Sequence, residues 1–293
     1  MNKMRTAFLI LLIFSLPCLG QKSPYGTQYF SRSQCIQDIK QVQDALTSYH
    51  PSLYTYTSES SLSKKFDNYI YNLPDSLNSY QFHSELTLLL NQIRDGHLYL
   101  STNKTMNSFE VSKAHILPFS FHIFDYKLFV DKNYGSSSIK QWDIITEING
   151  IPSTELIYEL LPQLPTDGYC GSRKMKLLEE NFALLYSRKY GFSTSFEVNT
   201  ISNTVRSESI TIRVKGIKPG LLIEKLKPTK SQLYFEIDKY KNRAYAKVPT
   251  FNSTEIKRSG IVWNKWLKNH FKELQKNSIE SLILDLRGNQ GGS

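Results

Sequence analysis

Ser281-Leu-Ile-Leu-Asp-Leu-Arg-Gly-Asn-Gln-Gly-Gly-Ser293 joins a run of branched apolar residues to an acid, an arginine and three glycines. This order predicts a buried strand that enters a glycine turn. Gly288, Gly291 and Gly292 permit positive φ values and a close approach of a ligand to the backbone. The amides of such a turn can converge on a developing oxyanion, and each donor is worth roughly 3–4 kcal/mol in acyl transfer.

The residues before the glycines are expected to hold this turn in place. Ile283 and Leu284 are predicted to anchor the strand in a core, and Asp285 to pair with Arg287 or with backbone groups. Two other interpretations stay open for the stretch. An ordinary strand-to-helix turn has the same composition, whereas a phosphate-binding loop is disfavoured because no Lys-Ser or Lys-Thr follows the glycines. Ser293 follows the glycine pair, but no His–Asp arrangement is spaced around it as a nucleophile requires.

The remainder of the 293-residue chain predicts a folded protein with several domains. Hydrophobic residues make up 40% of it, and 18 Tyr and 16 Phe argue against disorder. The net charge of +10 is spread along the chain, and no zinc-finger or RNP-like signature accompanies it. The charge therefore does not predict a nucleic-acid partner.

The amino terminus has the pattern of a secretory signal peptide. Lys3 and Arg5 precede an apolar segment at 7–16, and cleavage is predicted after Gly20. Cys18 raises the alternative of a lipid anchor, which a proline directly before it disfavours. We therefore expect an exported protein of the periplasm or cell envelope. Removal of residues 1–20 would leave Cys35 and Cys170, which are predicted to be free, partly buried thiols.

Periodicity divides the chain into a helical part, a strand-rich part and a mixed part. Helices are predicted between 33 and 95, with Ser33 as the first N-cap and His50-Pro51 as the end of the first helix. Hairpins are predicted at 117–130 and 192–214, and helices at 153–161 and 173–189. Pro219-Gly220 predicts a boundary. Beyond it we expect two strands, one helix from Ser253 or Thr254 to Gln275, and the strand that opened this section.

Several of these stretches together resemble the tail-specific, or C-terminal-processing, serine protease family. The carboxy-terminal Asp285-Leu-Arg-Gly-Asn-Gln-Gly-Gly carries the most specific resemblance. Weaker resemblances cover nearly the whole mature chain, in the order in which the family has them. These stretches are His50-Pro-Ser-Leu-Tyr54, Arg94-Asp-Gly-His97, Trp142-Asp-Ile-Ile-Thr-Glu-Ile-Asn-Gly-Ile-Pro152 and Ala244-Tyr-Ala-Lys-Val-Pro-Thr-Phe251.

The resemblance implies an α+β multidomain fold. The implied parts are a signal peptide at 1–20, an N-terminal helical bundle at 21–108, a PDZ-like β-rich domain at 109–217, and the start of a crotonase-like α/β protease core at 218–293. The family places its serine nucleophile well downstream of the glycine motif, and in one branch a lysine base further on. We therefore expect an incomplete core and no hydrolysis by this chain alone. Whether any truncation is natural is not decided by the sequence.

The resemblance also implies roles for individual residues. Gly291 or Gly292 would contribute to the oxyanion hole, and His97 would be the general base, as in the tricorn-like branch. The alternative for His97 is a structural histidine that hydrogen-bonds a loop. No metal or other cofactor is implied, and the expected partner is a polypeptide substrate. A non-catalytic peptide-binding protein that uses the PDZ-like domain is the alternative function. His83 and His270 are expected on helix surfaces.

Overall fold

The computed structural model describes residues 28–202, 209–226, 233–289 and 291–292. The predicted signal peptide, Cys18 and Ser293 lie outside these ranges. The chain divides into two compact units, Met1–Leu226 and Lys227–Ser293, and each mixes helices with strands. Within the described ranges, no helix combines the length and apolarity needed to cross a bilayer.

The first unit begins with helices, of which α1, α2 and α3 pack around a common apolar core and α4 packs in a smaller cluster with Tyr80. The elements are β1 (Tyr29–Ser31), α1 (Arg32–Tyr49), α2 (Glu59–Tyr71), β2 (Ser76–Asn78), α3 (Ser79–Leu90) and α4 (Lys104–Ser112). Helix α1 ends before Pro51, as predicted. Its N-cap is Ser31 and not Ser33, because Ser31 and Gln34 form a reciprocal capping box. Ile39, Phe66 and Ile93 are each at most 1% exposed in this core.

A six-stranded antiparallel sheet forms the rest of the first unit. Its strands are β3 (Phe119–Phe124), β4 (Lys127–Asn133), β5 (Ile144–Ile148), β6 (Ile151–Pro152), β7 (Ser195–Ile201) and β8 (Ile210–Lys215). The order is β3-β4-β5-β7-β8, and β6 pairs with β5. Both predicted hairpins are confirmed. At the turn after β5, Asn149 and Gly150 have φ values of 49° and 79°, which suits a type I′ turn.

Three helices accompany this sheet, namely α5 (Ser153–Leu160), α6 (Gly171–Tyr190) and α7 (Pro219–Leu226), together with a 3-10 turn at Leu161–Gln163. Ser153 does not cap α5, because its hydroxyl donates to the Ile145 carbonyl oxygen at 2.7 Å. Pro219 does not break the chain and instead starts α7, since proline has no N–H to lose in a first turn.

The second unit contains β9 (Tyr234–Asp238), β10 (Arg243–Lys247), α8 (Ser253–Arg258), α9 (Trp263–Lys276) and β11 (Ser281–Asp285). The sheet order is β11-β10-β9, with β9 antiparallel and β11 parallel to β10. The predicted single helix is therefore two helices. Asn252, not Ser253 or Thr254, caps α8, and Gly260 with φ of 79° lies between α8 and α9.

Strand β11 has its predicted position but not its predicted burial. Ile283 is 47% exposed and Leu284 is 52% exposed, so the expectation that they anchor a core is wrong in this structure. Among the described residues the strand has a neighbour on one side only, and a branched apolar sequence does not by itself supply a covering layer.

Candidate functional site

The loop Arg94–His97, which follows α3, carries the predicted general base. Arg94 adopts φ of 62°, an uncommon value for a residue with a Cβ atom. The Asp95 carboxylate then turns back and accepts the backbone N–H of His97 at 2.7 Å through Oδ1. This local bond is the usual way in which an aspartate stabilises a tight turn, and it sets the direction in which His97 leaves the loop.

His50 fixes Asp95 from the side of α1. The His50 side chain is only 7% exposed, and its Nε2 lies 3.1 Å from Asp95 Oδ2. Its Nδ1 accepts the backbone N–H of Ser52 at 3.2 Å. Because Nδ1 accepts, the proton of a neutral ring is on Nε2 and is donated to Asp95. The sequence placed His50 in a resembling segment but did not predict this contact.

Asp167, which precedes α6, fixes the loop from the opposite side. Its Oδ1 accepts the Gly96 N–H at 2.8 Å, and the Gly168 N–H donates to the Arg94 carbonyl oxygen at 2.9 Å. A Cβ atom on Gly96 would lie 2.7–2.9 Å from the Asp167 carboxylate, so any larger residue would displace that carboxylate from the Gly96 amide. The Arg94 guanidinium lies 3.8 Å above the Tyr169 ring. No sequence signal apart from an Asp-Gly turn marked Asp167.

His97 projects from this braced loop into solvent, with its side chain 92% exposed. Its Nδ1 lies 3.5 Å from Asp95 Oδ1 and 4.0 Å from Asp167 Oδ1. Both carboxylates thus favour a proton on Nδ1 and leave Nε2 as an acceptor, which is the tautomer that a general base needs. Donor atoms of the three side chains lie within 4.8 Å of one another, close enough to share a cation. Both aspartates are already engaged, however, by His50 and by the Gly96 amide.

In the second unit, an ionic contact between the exposed Arg287 and the buried Asp285 holds the turn that follows β11. Asp285 is buried, and its Oδ1 accepts both the backbone N–H and the Nε–H of Arg287 at 2.9 Å. Its Oδ2 accepts from Arg287 Nη2 at 2.8 Å and from the Tyr245 hydroxyl. These hydrogen bonds, first those from Arg287 and then that from Tyr245, hold the Asp285 pKa well below its usual range. The predicted pairing of Asp285 with Arg287 is confirmed.

The glycines of this turn have the backbone values that their residue type suggests. Gly288, Gly291 and Gly292 have φ values of 79°, 87° and 138°. A Cβ atom on Gly292 would lie 2.2 Å from the Asn252 backbone nitrogen, so the chain passes too close there for any side chain. The Gly291 N–H donates to Asn289 Oδ1 at 2.7 Å. For Gly291 to bind an oxyanion through its amide, that hydrogen bond would first have to be released.

The predicted site residues fall in different units. His97 belongs to the first unit, and Gly291 and Gly292 belong to the second. Their joint role therefore stays a prediction.

Ser293, disfavoured as a nucleophile, lies outside the described residues. His83 is not a surface residue as expected, because it is largely buried and its Nε2 lies 3.1 Å from the Leu100 carbonyl oxygen.

The two remaining cysteines are free thiols, as predicted, but they differ in environment. Cys35 is 1% exposed, and burial raises its pKa to about 11. Cys170 is exposed, so the expectation of partial burial is wrong for it. A hydrogen bond with Ser172, followed by one with the Arg173 backbone, lowers the Cys170 pKa.

Comparisons with known proteins connect these features to a family. Residues 242–293 match the sequence model of peptidase family S41. No relative is found among curated proteins. Mature CPAF complexed with lactacystin has a similar structure, with a TM-score of 0.57 and 13% identity over 89% of this chain. Mature CPAF alone gives a TM-score of 0.54 at 11% identity, again over 89% of this chain.

A photosystem II D1 C-terminal processing protease also matches, at 14% identity over 90% of this chain and 62% of its own. Its TM-score of 0.33 is too low to assign a fold. The chain spans 57% of the lactacystin-bound CPAF chain and 56% of the other. The resemblance to the tail-specific protease family is confirmed by the family match, and the mixed helix-and-sheet fold resembles that of CPAF.

Proposed function

We propose that this member of the tail-specific protease family supplies the amino-terminal part of an exported serine-type endopeptidase that acts on polypeptides. One observation carries the proposal: the segment that matches a peptidase family ends in a turn with three positive-φ glycines, fixed by the buried Asp285. Such a turn can present backbone amides to a developing oxyanion in acyl transfer. The fold and the family match support a protease-like function.

In this proposal the chain has three parts. Residues 21–108 form a helical bundle, residues 109–217 a PDZ-like domain, and residues 218–293 the beginning of a crotonase-like protease core. The six-stranded sheet with its accompanying α5 and α6 supports the second assignment. A strand edge beside a helix can bind an extended peptide by adding a strand to the sheet.

His97 acts as the general base in the proposed reaction, and Gly292 or Gly291 stabilises the oxyanion. The orientation of His97 supports its role, because both nearby carboxylates face Nδ1 and leave Nε2 toward solvent. A proton taken at Nε2 would give an imidazolium whose Nδ1–H faces Asp95 and Asp167. A lysine base, as in the processing-protease branch, is the competing assignment. Nothing in the proposal needs a metal or an organic cofactor.

The test is hydrolysis of an unfolded polypeptide, followed by mass spectrometry of the products. We expect no turnover by the 293-residue chain, because the family's nucleophile position is not among its residues. We expect turnover by a longer product of the same reading frame that contains a serine in a small-residue turn. His97→Ala in that product should lower kcat at least about 100-fold if histidine is the base. Unchanged kcat would assign the base to another residue.

Export is tested separately, by the mass of the mature protein in an envelope fraction. Cleavage after Gly20 would remove Cys18 and leave no site for a lipid anchor. A mature amino terminus at an acylated Cys18 would contradict the proposed signal peptide.

A peptide-binding protein without catalysis is the second candidate, and the edge strand β3 beside α6 favours it. The proposal predicts saturable binding of extended peptides to this chain in the absence of turnover. If the longer product also shows no turnover while the peptides still bind, this second function replaces the first.

A further inference from the structure

A groove in the first unit lies outside the loop and turn described above. It runs between α3 and α6 beside the 3-10 turn, with a volume of about 360 Å³. This size falls within the roughly 300–1,000 Å³ of small-molecule and side-chain sites. Gly96 and Tyr99, which flank His97 in sequence, contribute to its wall. A ligand in the groove would therefore touch the loop that carries the candidate base.

One face of α6 gives the groove an apolar wall. Leu177, Leu184 and Leu185 recur at helical spacing on that face, and Leu164 continues the wall from the connection before α6. Leu164 is buried, whereas Leu177, Leu184 and Leu185 are partly buried and keep apolar surface exposed toward the groove. Branched apolar side chains of a ligand fit this wall.

The charges that line the groove are all positive. Arg173, Arg188 and Lys189 contribute to the lining, and no aspartate or glutamate does. Two of these cations are already neutralised. Arg188 forms a bidentate contact with the buried Glu110 at 2.8 and 2.9 Å, and the Lys189 amine lies 2.6 Å from Glu159. Arg173 has no ionic partner within the described part of the chain.

His83 lines the same groove as a neutral imidazole. Burial, and after it the nearby positive charge of Arg188, lower its pKa to about 4. Its Nε2 is bonded to the Leu100 carbonyl oxygen, so Nε2 carries the proton. The ring therefore adds no charge at neutral pH, and Arg173 is left as the one cation of the lining whose charge is not compensated by a described residue.

We propose that this groove binds a segment of the polypeptide substrate in which an Asp or Glu side chain stands beside branched apolar residues. The carboxylate pairs with Arg173, and the apolar side chains contact the leucines of α6. A guanidinium suits this task because its planar fork donates two parallel hydrogen bonds to a carboxylate. That the ligand is a polypeptide rests on the proposed function. The groove would then select substrates by their sequence at some distance from the cleaved bond.

Binding is measured by calorimetry with the 293-residue chain and two peptides, acetyl-Ala-Leu-Glu-Leu-Ala-amide and its Gln counterpart. Blocked ends keep terminal charges out of the comparison. We expect the Glu peptide to bind about ten times more tightly than the Gln peptide at low salt, and the ratio to fall as salt rises. Equal affinities of the two peptides, or no binding of either, would overturn the proposal.

Arg173→Gln should remove the discrimination between the peptides without changing the fold, because Arg173 is exposed. Lys176→Gln is the matched control: this lysine is on the same helix, does not line the groove, and should keep the tenfold ratio. Thermal unfolding of both variants checks that they are folded. Discrimination that survives Arg173→Gln would exclude Arg173 as the carboxylate partner and overturn the assignment.

Leu184→Gln tests the apolar wall independently and should weaken both peptides together. Peptide binding needs no turnover, so these measurements separate the groove from the proposed peptidase activity. Hydrolysis by the longer product with no preference for acidic segments would leave the peptidase assignment standing and remove this one. Binding of the Glu peptide without hydrolysis by any product would support the groove and remove the peptidase assignment.

Discussion

The two sheets of this protein are built from similar residues but are covered very differently. In the first unit, Ile145 and Ile148 of β5 are fully buried, and Phe182 of α6 packs edge-on against Phe121 of β3 with ring centroids 5.0 Å apart. In the second unit, Leu282, Ile283 and Leu284 of β11 are 39–52% exposed. A run of branched apolar residues thus predicts a strand in both units, whereas burial depends on how closely a second layer packs against it.

The face of β11 that α9 does cover is loosely packed. An apolar gap of about 160 Å³ lies between α9 and the sheet, and Leu282 and Leu284 line it together with the stacked Trp263 and Trp266. Ile283 points to the opposite face, because successive side chains of a strand alternate. We therefore expect substitutions in the first sheet to cost much more stability than equivalent substitutions in β11.

Phe182→Ala should give the largest effect. It removes a side chain that is 1% exposed and leaves a cavity beside Phe121, so we expect a loss of about 3–5 kcal/mol in the free energy of unfolding. Urea denaturation followed by circular dichroism measures it. A loss below about 1 kcal/mol would mean that the first sheet is no better packed than β11, and the contrast between the units would disappear.

The second-largest effect should be a loss of stability of the first unit in mild acid. The folded-state pKa of His83 is about 4 against an ordinary value of 6.5, so between these pH values the unfolded state binds the extra proton. Stability of the first unit therefore falls as pH drops from about 6.5 to 4, by about 3 kcal/mol in total. His83→Gln should flatten this dependence. A wild-type unfolding free energy that is constant over this range would contradict the inferred burial of the imidazole.

The second unit should keep its stability down to a lower pH than the first unit. The Asp285 pKa is depressed, so its stabilising contribution is complete above about pH 4 and is lost only as pH falls below that value. Trp263 and Trp266 report on this unit by fluorescence, since Trp142 is the only tryptophan in the other. Asp285→Asn should lower the melting temperature at pH 7 and weaken the dependence below pH 4. Asp238→Asn, at a more exposed carboxylate, is the control and should change neither.

Ile283→Thr should have the smallest effect. Threonine keeps the β-branched shape that a strand favours, and the residue is already 47% exposed, so we expect a change under about 1 kcal/mol. The same change should reduce self-association, because it interrupts an exposed apolar strand at a sheet edge. Sedimentation measures the association. A loss comparable to that of Phe182→Ala would show that this face of β11 is covered in solution.

Much of the fold was readable from local sequence. The hairpins at 117–130 and 192–214 follow from alternating apolar and polar residues, and Asn149-Gly150 is a pair typical of a type I′ turn. The helix starts were harder, since Ser31, Ser33, Asn252 and Ser253 all carry capping side chains. The choice among them depends on which side chain reaches the free amides of the first turn, and candidates only one or two residues apart cannot be told apart by residue type.

The candidate site was predictable only in part. The Asp285–Arg287 pair was expected because both residues stand two apart at the end of a strand. The contacts that His50 and Asp167 make with the His97 loop were not predicted. Both residues are distant from the loop in sequence, and neither belongs to a periodic pattern. A contact of that kind arises from the packing of α1 and the α6 connection around the loop, which no local signal records.

The contrast between the two cysteines has a practical consequence for labelling. In a preparation that lacks residues 1–20, Cys170 presents an accessible thiol, while burial protects Cys35. Cys170 immediately follows Tyr169, whose ring contacts Arg94 of the His97 loop. A maleimide dye would therefore mark a single position of the native sequence, three residues from Arg173, and its emission would follow ligand entry without any engineered attachment point.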